Sequence, residues 1–312
     1  MRTRKQKQRQ TIPAELRYTV ADFNLEFPDD DSCLKYVKEQ RWPDGVTRCD
    51  KCKQDRKHHR VSGRTAYACG FCGTHIYPLA GTIFEKSTTS LKHWFYAMYL
   101  MGSTRCGISA KQIQRETGVT YKTAWRMFRQ VRSLLSEQDL QLEGPTVEMD
   151  ETYVGGKRRL ATAHTLANKT PVAGIVERRG RVIARALPNR KGSALLPMIR
   201  KHVVPKSTIY TDEAYAYEGI KVIRTRDGER ANYRHRTIKH GSGVYVRGDI
   251  HTNTIEGFWS LVKRGMHGVY HSVGDKYLQS YLDEFSFRYN RRDQGNMIFK
   301  AILQQVSQRA LD

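Results

Sequence analysis

Four cysteines constrain this chain more than any other feature. Cys49-Asp-Lys-Cys52 and Cys69-Gly-Phe-Cys72 are spaced C-x2-C-x16-C-x2-C. Two such knuckles can present four thiolates to one tetrahedral Zn²⁺, which commits the intervening segment to fold back on itself. The segment is small and polar, so metal ligation rather than an apolar core would supply its folding energy. A closed four-Cys set leaves no position for water, so the expected zinc is structural. His58, His59 and His75 lie nearby, but the cysteines already complete a site. Cys33 and Cys106 have no partner at metal spacing and read as buried free thiols. Lys51, Lys53, Arg56, Lys57 and Arg60 surround the knuckles with Tyr67 and Phe71, as on a DNA-contacting surface.

Charge narrows the partners. Lys and Arg number 54 against 31 Asp and Glu, a net charge of +23. A soluble chain this basic calls for a polyanion, and nucleic acid is the expected one. The most apolar stretch, around Trp94 to Met101, is far shorter than the roughly 20 residues of a spanning helix, so no membrane is expected. MRTRKQKQRQ at the start lacks an apolar stretch behind its basic residues, so it reads as a phosphate-contacting arm or a solvated tail rather than a secretory signal. A reducing, cytoplasmic compartment follows.

Turn signals divide the chain into four parts. Residues 1–44 hold the basic tail and a short helix starting near Ser32. Residues 45–83 are the zinc ribbon. Residues 84–142 are helical, with Leu91, Trp94, Phe95, Met98 and Met101 along one face. Residues 143–312 alternate strands and helices. There, 146–154 reads as a strand, 171–177 and 181–187 as a hairpin, 193–202 as a helix and 207–211 as a strand. Helices follow over 252–263 and 275–290. The expected class is α/β within a multidomain α+β chain: a mixed sheet covered by helices, preceded by a ribbon and a helix-turn-helix region.

That helix-turn-helix spans Ser109 to Leu135. Ser109-x-x-Gln112 reads as a capping box, Gly118-Val119-Thr120 as a turn, and Thr120 as the next cap. Trp125, Phe128, Val131 and Leu135 form a buried stripe. Lys122, Arg126, Arg129 and Arg132 form a basic face, as a recognition helix in a major groove requires.

Several acids lie where catalysis would need them. Two-metal phosphoryl transfer needs carboxylates converging from separate elements. Asp150 lies inside the β-rich run Val147-Glu-Met-Asp-Glu-Thr-Tyr-Val154, where an unpaired charge is costly. Alternation puts Glu148, Asp150 and Thr152 on one face and Glu151 on the other, without choosing between Asp150 and Glu151. Asp212 closes the next strand, with Glu213 beside it. Glu256 and Lys263, seven apart, share a helix face. Asn253-x-x-Glu256 also reads as a capping box.

These motifs together resemble a known family. The knuckles, Met149-Asp-Glu-Thr-Tyr-Val-Gly-Gly156, Thr211-Asp-Glu213 and His251-Thr-Asn-Thr-Ile-Glu-Gly-Phe-Trp-Ser-Leu-Val-Lys-Arg264 are similar to those of bacterial insertion-sequence transposases. The group is numbered fifteen-ninety-five and is related to the eukaryotic Merlin elements. The likeness runs from about Asp30 to Arg292, and the helix ending in Arg292 resembles the family's closing segment. It implies a ribonuclease-H-like catalytic domain and DDE-type catalysis with two Mg²⁺ or Mn²⁺ ions. It further implies cleavage at terminal inverted repeats and strand transfer. Asp150 and Asp212 match the first two catalytic acids, Glu256 and Asn253 are both candidates for the third, and Lys263 or Arg264 lies near the DNA. Joining requires two ends, so a dimer or higher assembly on DNA is expected, on the nucleoid of a prokaryote. A DNA-binding regulator and a nuclease or resolvase without strand transfer are the competing readings. Residues 231–251, with Arg234, His235, Arg236, Lys239, His240, Arg247 and His251, read as a basic loop facing DNA.

Overall fold

Apolar side chains too dense for a surface segment gather at both ends of this chain, and they build one core. The computed structural model describes residues 13–155, 169–238 and 252–308. The chain forms two compact units. The first comprises the described residues up to Ser103, Ile113–Met127 and those from Arg291 onward; the second comprises Thr104–Gln112 and Phe128–Asn290.

In the first unit, α1 (Val20–Glu26) and α2 (Asp30–Arg41) each start with a reciprocal capping box, Thr19 with Asp22 and Asp29 with Ser32. Four short antiparallel strands follow in sequential order: β1 (Val46–Arg48), β2 (Asp55–Arg60), β3 (Tyr67–Cys69) and β4 (His75–Ile76). In α3 (Leu91–Ser103), Leu91, Trp94, Phe95, Met98 and Met101 are all buried, as their spacing predicts. The unit's last element, α9 (Ile298–Gln308), packs against α3. A Cβ on Gly102 would stand 2.8 Å from the Phe299 backbone nitrogen, so only glycine lets the two helices approach this closely. Phe299 meets Tyr18, Phe23, Phe27 and Tyr99 in one aromatic cluster. Neither helix is among those expected from the sequence: α1 is only seven residues long, whereas α9 carries a helical stripe, Ile298, Phe299, Ile302, Leu303 and Val306, all of it buried.

Helices α4 (Ala110–Thr117) and α5 (Tyr121–Ser133) bracket a three-residue turn whose Gly118 has φ +71°. Ser109 and Thr120 cap them, accepting from Gln112 N at 3.1 Å and Thr123 N at 3.3 Å.

The second unit is a five-stranded sheet: β5 (Thr146–Val154), β6 (Thr170–Glu177), β7 (Val182–Ala186), β8 (Thr208–Thr211) and β9 (Arg234–Thr237), in the order β7-β6-β5-β8-β9. The first three strands are antiparallel, whereas β8 and β9 run parallel to β5. Three antiparallel strands extended by two parallel ones form the expected mixed sheet, of the ribonuclease-H-like kind that the family resemblance implies. Segment 234–237, read as part of a basic loop, is instead the edge strand β9. Its sequence Arg-His-Arg-Thr carries the charges that protect an open edge, which is why it lacked an apolar strand signal.

Strand alternation gives the sheet two faces. Val147, Met149, Ala173, Ile175, Ile183 and Ile209 share one core cluster with Leu195, Met198 and Ile199 of α6 (Gly192–His202). The other face receives α7 (Asn253–Gly265), which packs on β5 and β6, and α8 (Asp275–Asn290), which packs on β7. Among the described residues no helix is long and apolar enough to cross a membrane. The basic tail, Gly156 at the end of the first acidic motif, and Lys239, His240, Arg247 and His251 lie outside the described residues.

Candidate active site and metal centres

The two knuckles are the turns between β1 and β2 and between β3 and β4. Lys53 (φ +56°) and Gly73 (φ +74°) occupy the equivalent position after each. Their N–H groups donate to Cys49 O at 2.8 Å and Cys69 O at 3.0 Å. The sulfurs of Cys49, Cys52, Cys69 and Cys72 all lie within 4.8 Å of one another. A tetrahedral ion with Zn–S bonds of about 2.3 Å needs sulfurs roughly 3.8 Å apart, so the set fits. The Thr74 hydroxyl, followed by its backbone N–H, holds the Cys72 thiol down at about 6. Backbone N–H groups of Cys72 and Phe71 lower Cys69. Cys52 moves the other way, to about 12, chiefly through its hydrogen bond to Cys72. A thiolate at Cys72 is thus favoured while its neighbour keeps a proton that a bound cation would displace.

On α5, Lys122, Arg126 and Arg129 are exposed. Arg126 rests on the Trp94 ring and donates to Ser87 Oγ (3.1 Å) and Thr89 Oγ1 (3.2 Å). Arg132 departs from the expected basic face: it is 2% exposed and its Nε lies 2.6 Å from Glu284. Its guanidinium stacks between Phe128 (3.6 Å) and Tyr281 (3.3 Å). Arg288 completes the group, 2.8 Å from the same Glu284. Arg132 therefore holds the core together and is not placed to meet a phosphate. It follows Phe128 by four residues, about 40° round the helix, so it falls on the edge of the apolar stripe.

The acids sort by face. Glu151 points to the α6 side, where its carboxylate meets Arg190 at 2.6 Å and accepts from the Tyr217 hydroxyl. Asp150 lies on the α7 side, opposite Gly174 of β6. Glu148 pairs with Tyr210 across β5 and β8; two residues further along this parallel register, Asp212 stands beside Asp150. Asp212 follows the end of β8, and its Oδ1 accepts from Ala214 N at 3.0 Å. Burial first, then the charges of Glu151, Asp212 and Glu256, push the Asp150 carboxyl up to about 6. Among the described residues only the four cysteines gather three or more ligand atoms within 4.8 Å. The three carboxylates stand wider apart, and the charges of Asp212 and Glu256 reach Asp150 through space.

Helix α7 brings the third acid. Its Ile255 and Trp259 cover Gly174, where a Cβ would meet Trp259 Cζ2 at 2.7 Å and Ile255 Cδ1 at 2.8 Å. Asn253 and Glu256 are exposed in the first turn, with Lys263 and Arg264 exposed further on. The expected Asn253–Glu256 capping box does not form. Asn253 is the first helical residue, Thr252 at the cap makes no side-chain capping bond, and the Thr252 hydroxyl donates to Glu256 Oε1 at 3.0 Å. The cap comes from β5 instead: Glu148 Oε2 accepts from Thr254 N (2.8 Å) and Ile255 N (3.1 Å). Sequence alternation placed Glu148 on this face but assigned it no task.

Residues 141–290 match the model of the ISXO2-like transposase domain, and residues 28–75 match the transposase zinc-ribbon domain. A protein in the transposable element ISH50 of Halobacterium salinarum is 30% identical over 284 residues, covering 85% of this chain and 92% of that one. The chain belongs to the ISXO2-like transposase family. Its transposase segment runs from just before β5 to the end of α8, and so includes Asp150, Asp212, Asn253, Glu256, Lys263 and Arg264. A transposase-like protein of Haemophilus influenzae is 28% identical over 126 residues, 40% of this transposase and 93% of its own length. The solved pre-cleavage Mos1 transpososome overlaps 65% of this chain and 75% of its own, at a TM-score of 0.28 and 12% identity, too slight a likeness to carry an argument.

Proposed function

We propose that this transposase binds the terminal inverted repeats of its element, cuts DNA there and joins the cleaved end to a target. Asp150, Asp212 and Glu256 are the carboxylates that would hold two Mg²⁺ or Mn²⁺ ions, with Asn253 the alternative to Glu256. The observation that carries this reading is that the parallel β5–β8 pairing puts Asp150 and Asp212, just past the end of β8, on neighbouring lines of the sheet, where the charges of Asp212 and of Glu256 on α7 reach Asp150. A carboxyl raised to about 6 by burial first and by neighbouring like charges second is one whose ionised form a divalent cation would stabilise. Three acids spread wider than one ion's ligand shell suit a pair of ions about 3.5–4 Å apart. Such ions activate the attacking oxygen and stabilise the leaving one.

The chain's own residues do the rest. The β5–β8 pairing fixes the spacing of the first two acids, and α7 sets the third. Lys263 and Arg264 would neutralise phosphate near the cut. Lys122, Arg126 and Arg129 would read or grip the repeat from α5. The four cysteines would hold one structural Zn²⁺. We assign the ribbon to residues 45–83, the helix-turn-helix region to 84–142 and the catalytic part to 143–312, after the leading 1–44. Two ends must be held together for joining, so the working form is a dimer or higher assembly. Both relatives named above come from prokaryotes, and we place the protein on the nucleoid of such a cell.

The test supplies pre-cut element ends, a target plasmid and Mg²⁺ to the full-length zinc-loaded protein. Joined product is expected; cutting without joining would make it a nuclease. Asp150→Ala should abolish both, and full joining by that variant would overturn the site.

A further inference from the structure

A fully buried carboxylate in the second unit is used by no step described above. Glu148 is 0% exposed, on the same face of β5 as Asp150 and one side-chain repeat before it. Its two oxygens are shared between two neighbours. Oε2 accepts the N–H groups of Thr254 and Ile255, at 2.8 and 3.1 Å. Oε1 accepts the Thr254 hydroxyl at 2.9 Å and Arg178 Nε at 3.0 Å. Arg178 in turn lies 4.5 Å over the ring of Tyr210 on β8. One side chain thus ties β5 to the first turn of α7 and, through Arg178, to β8. These are the three elements that carry Asp150, Glu256 with Asn253, and Asp212.

The chemistry explains why the residue is charged. A helix N-terminus leaves backbone N–H groups unpaired and carries partial positive charge, and both favour an anion. Thr252 makes no side-chain capping bond to this helix. A buried carboxylate survives only if its lone pairs are filled, and here the Thr254 and Ile255 N–H groups, the Thr254 hydroxyl and Arg178 all donate to it. The bonds cross 106 residues to Thr254 and 30 to Arg178. Local caps stabilise a helix wherever it lies; this one fixes where the helix starts relative to the strand.

We propose that Glu148 is a positioning residue for the metal-dependent reaction: it sets the first turn of α7 against β5, and so sets the distance from Asp150 to the third ligand. The inference rests on the assignment of Asp150 and Glu256 as metal ligands. It goes beyond that assignment by naming what determines their spacing.

The test uses full-length zinc-loaded protein and reads Mn²⁺ binding by electron paramagnetic resonance, beside single-turnover cleavage of an element end. Glu148→Gln keeps the shape but turns an NH₂ group toward two of these donors. It should weaken Mn²⁺ binding at least fivefold and slow cleavage at saturating Mn²⁺ about tenfold, with Kd for end DNA within twofold of the parent. Glu148→Asp, which keeps both oxygens, should recover part of the loss. Parental Mn²⁺ affinity and cleavage in Glu148→Gln would overturn the proposal. If that variant melts early and loses DNA binding, Thr254→Val decides, since it removes one of these bonds and leaves the carboxylate. A two- to threefold weaker Mn²⁺ affinity supports the proposal, and an unchanged one overturns it. Asp150→Ala separates the two layers. If it binds Mn²⁺ as the parent does, the ligand assignment itself fails and this inference falls with it.

Discussion

Burial and the charges of Glu151, Asp212 and Glu256 hold the Asp150 carboxyl at about 6, above its ordinary 3.8. A raised acid pKa means that the folded state resists ionisation, so the cost is absent below the ordinary value and complete above about 6. Asp150→Asn should therefore stabilise the metal-free protein, with a gain that grows as pH rises from 4 to 7. Two pKa units correspond to roughly 3 kcal/mol, and partial solvent access brings the expectation to about 1–2 kcal/mol. Thermal melts at pH 4.5 and 7.5 with chelator check it; an equal shift at both pH values would contradict it. Glu284 has the opposite sign. Burial opposes its charge, yet Arg288 and Arg132 overcome that and hold its pKa low. Glu284→Ala leaves two buried guanidinium groups facing each other and should cost about 3–5 kcal/mol. Arg132→Met should cost less, because Arg288 still pairs the carboxylate and methionine refills the stacked space. Chemical denaturation of both variants gives the order.

Elements differ in how much of them could be read from the chain. The strand 146–154 appears with its expected bounds, because its alternation and its bounding Pro145 are local signals. Asp150 stands out in the sequence as an acid where a strand should be apolar, and Asp212 as an acid closing one, but only the structure puts Asp150 and Glu151 on opposite faces with different partners. The capping of α7 was not legible, since Asn253-x-x-Glu256 mimics a local cap while the real acceptor is Glu148, on another element. Arg132 failed by angle: spacing of i+10 from Lys122 looks like a face but has turned about 80° from it. Gly174 gave no signal either, although α7 can rest on the sheet only because it lacks a side chain. Gly174→Ala should push Trp259 and Ile255 outward, costing about 1–3 kcal/mol as an overpacked site does. Cleavage should fall further than the melting temperature implies, because the displaced helix carries Glu256. An unchanged cleavage rate in a folded variant would show that α7 adapts without moving its first turn.

At the scale of the molecule, a net charge of +23 makes binding to DNA an ion-exchange reaction. Each phosphate neutralised adds about 0.9 to the slope of log affinity against log salt. If Lys122, Arg126 and Arg129 each meet a phosphate, replacing all three by Ala should lower that slope by about 2.7, as fluorescence anisotropy with element-end DNA would measure. An unchanged slope would remove α5 from the interface.

The first unit is assembled from both ends of the sequence, with Phe299 completing the aromatic cluster around Phe23 and Phe27. Gly102 and Phe299 touch across the α3–α9 contact, yet the whole second unit is translated between them. At about 5–20 residues per second, a ribosome needs on the order of 10–40 s to travel from one to the other. During that interval the ribbon-bearing unit waits with an open apolar core while the unit carrying Asp150 and Asp212 is already emerging. The nascent chain would thus have its candidate cutting residues in place before the core of its ribbon-bearing unit is complete, and interrupted synthesis would leave that unit unfinished.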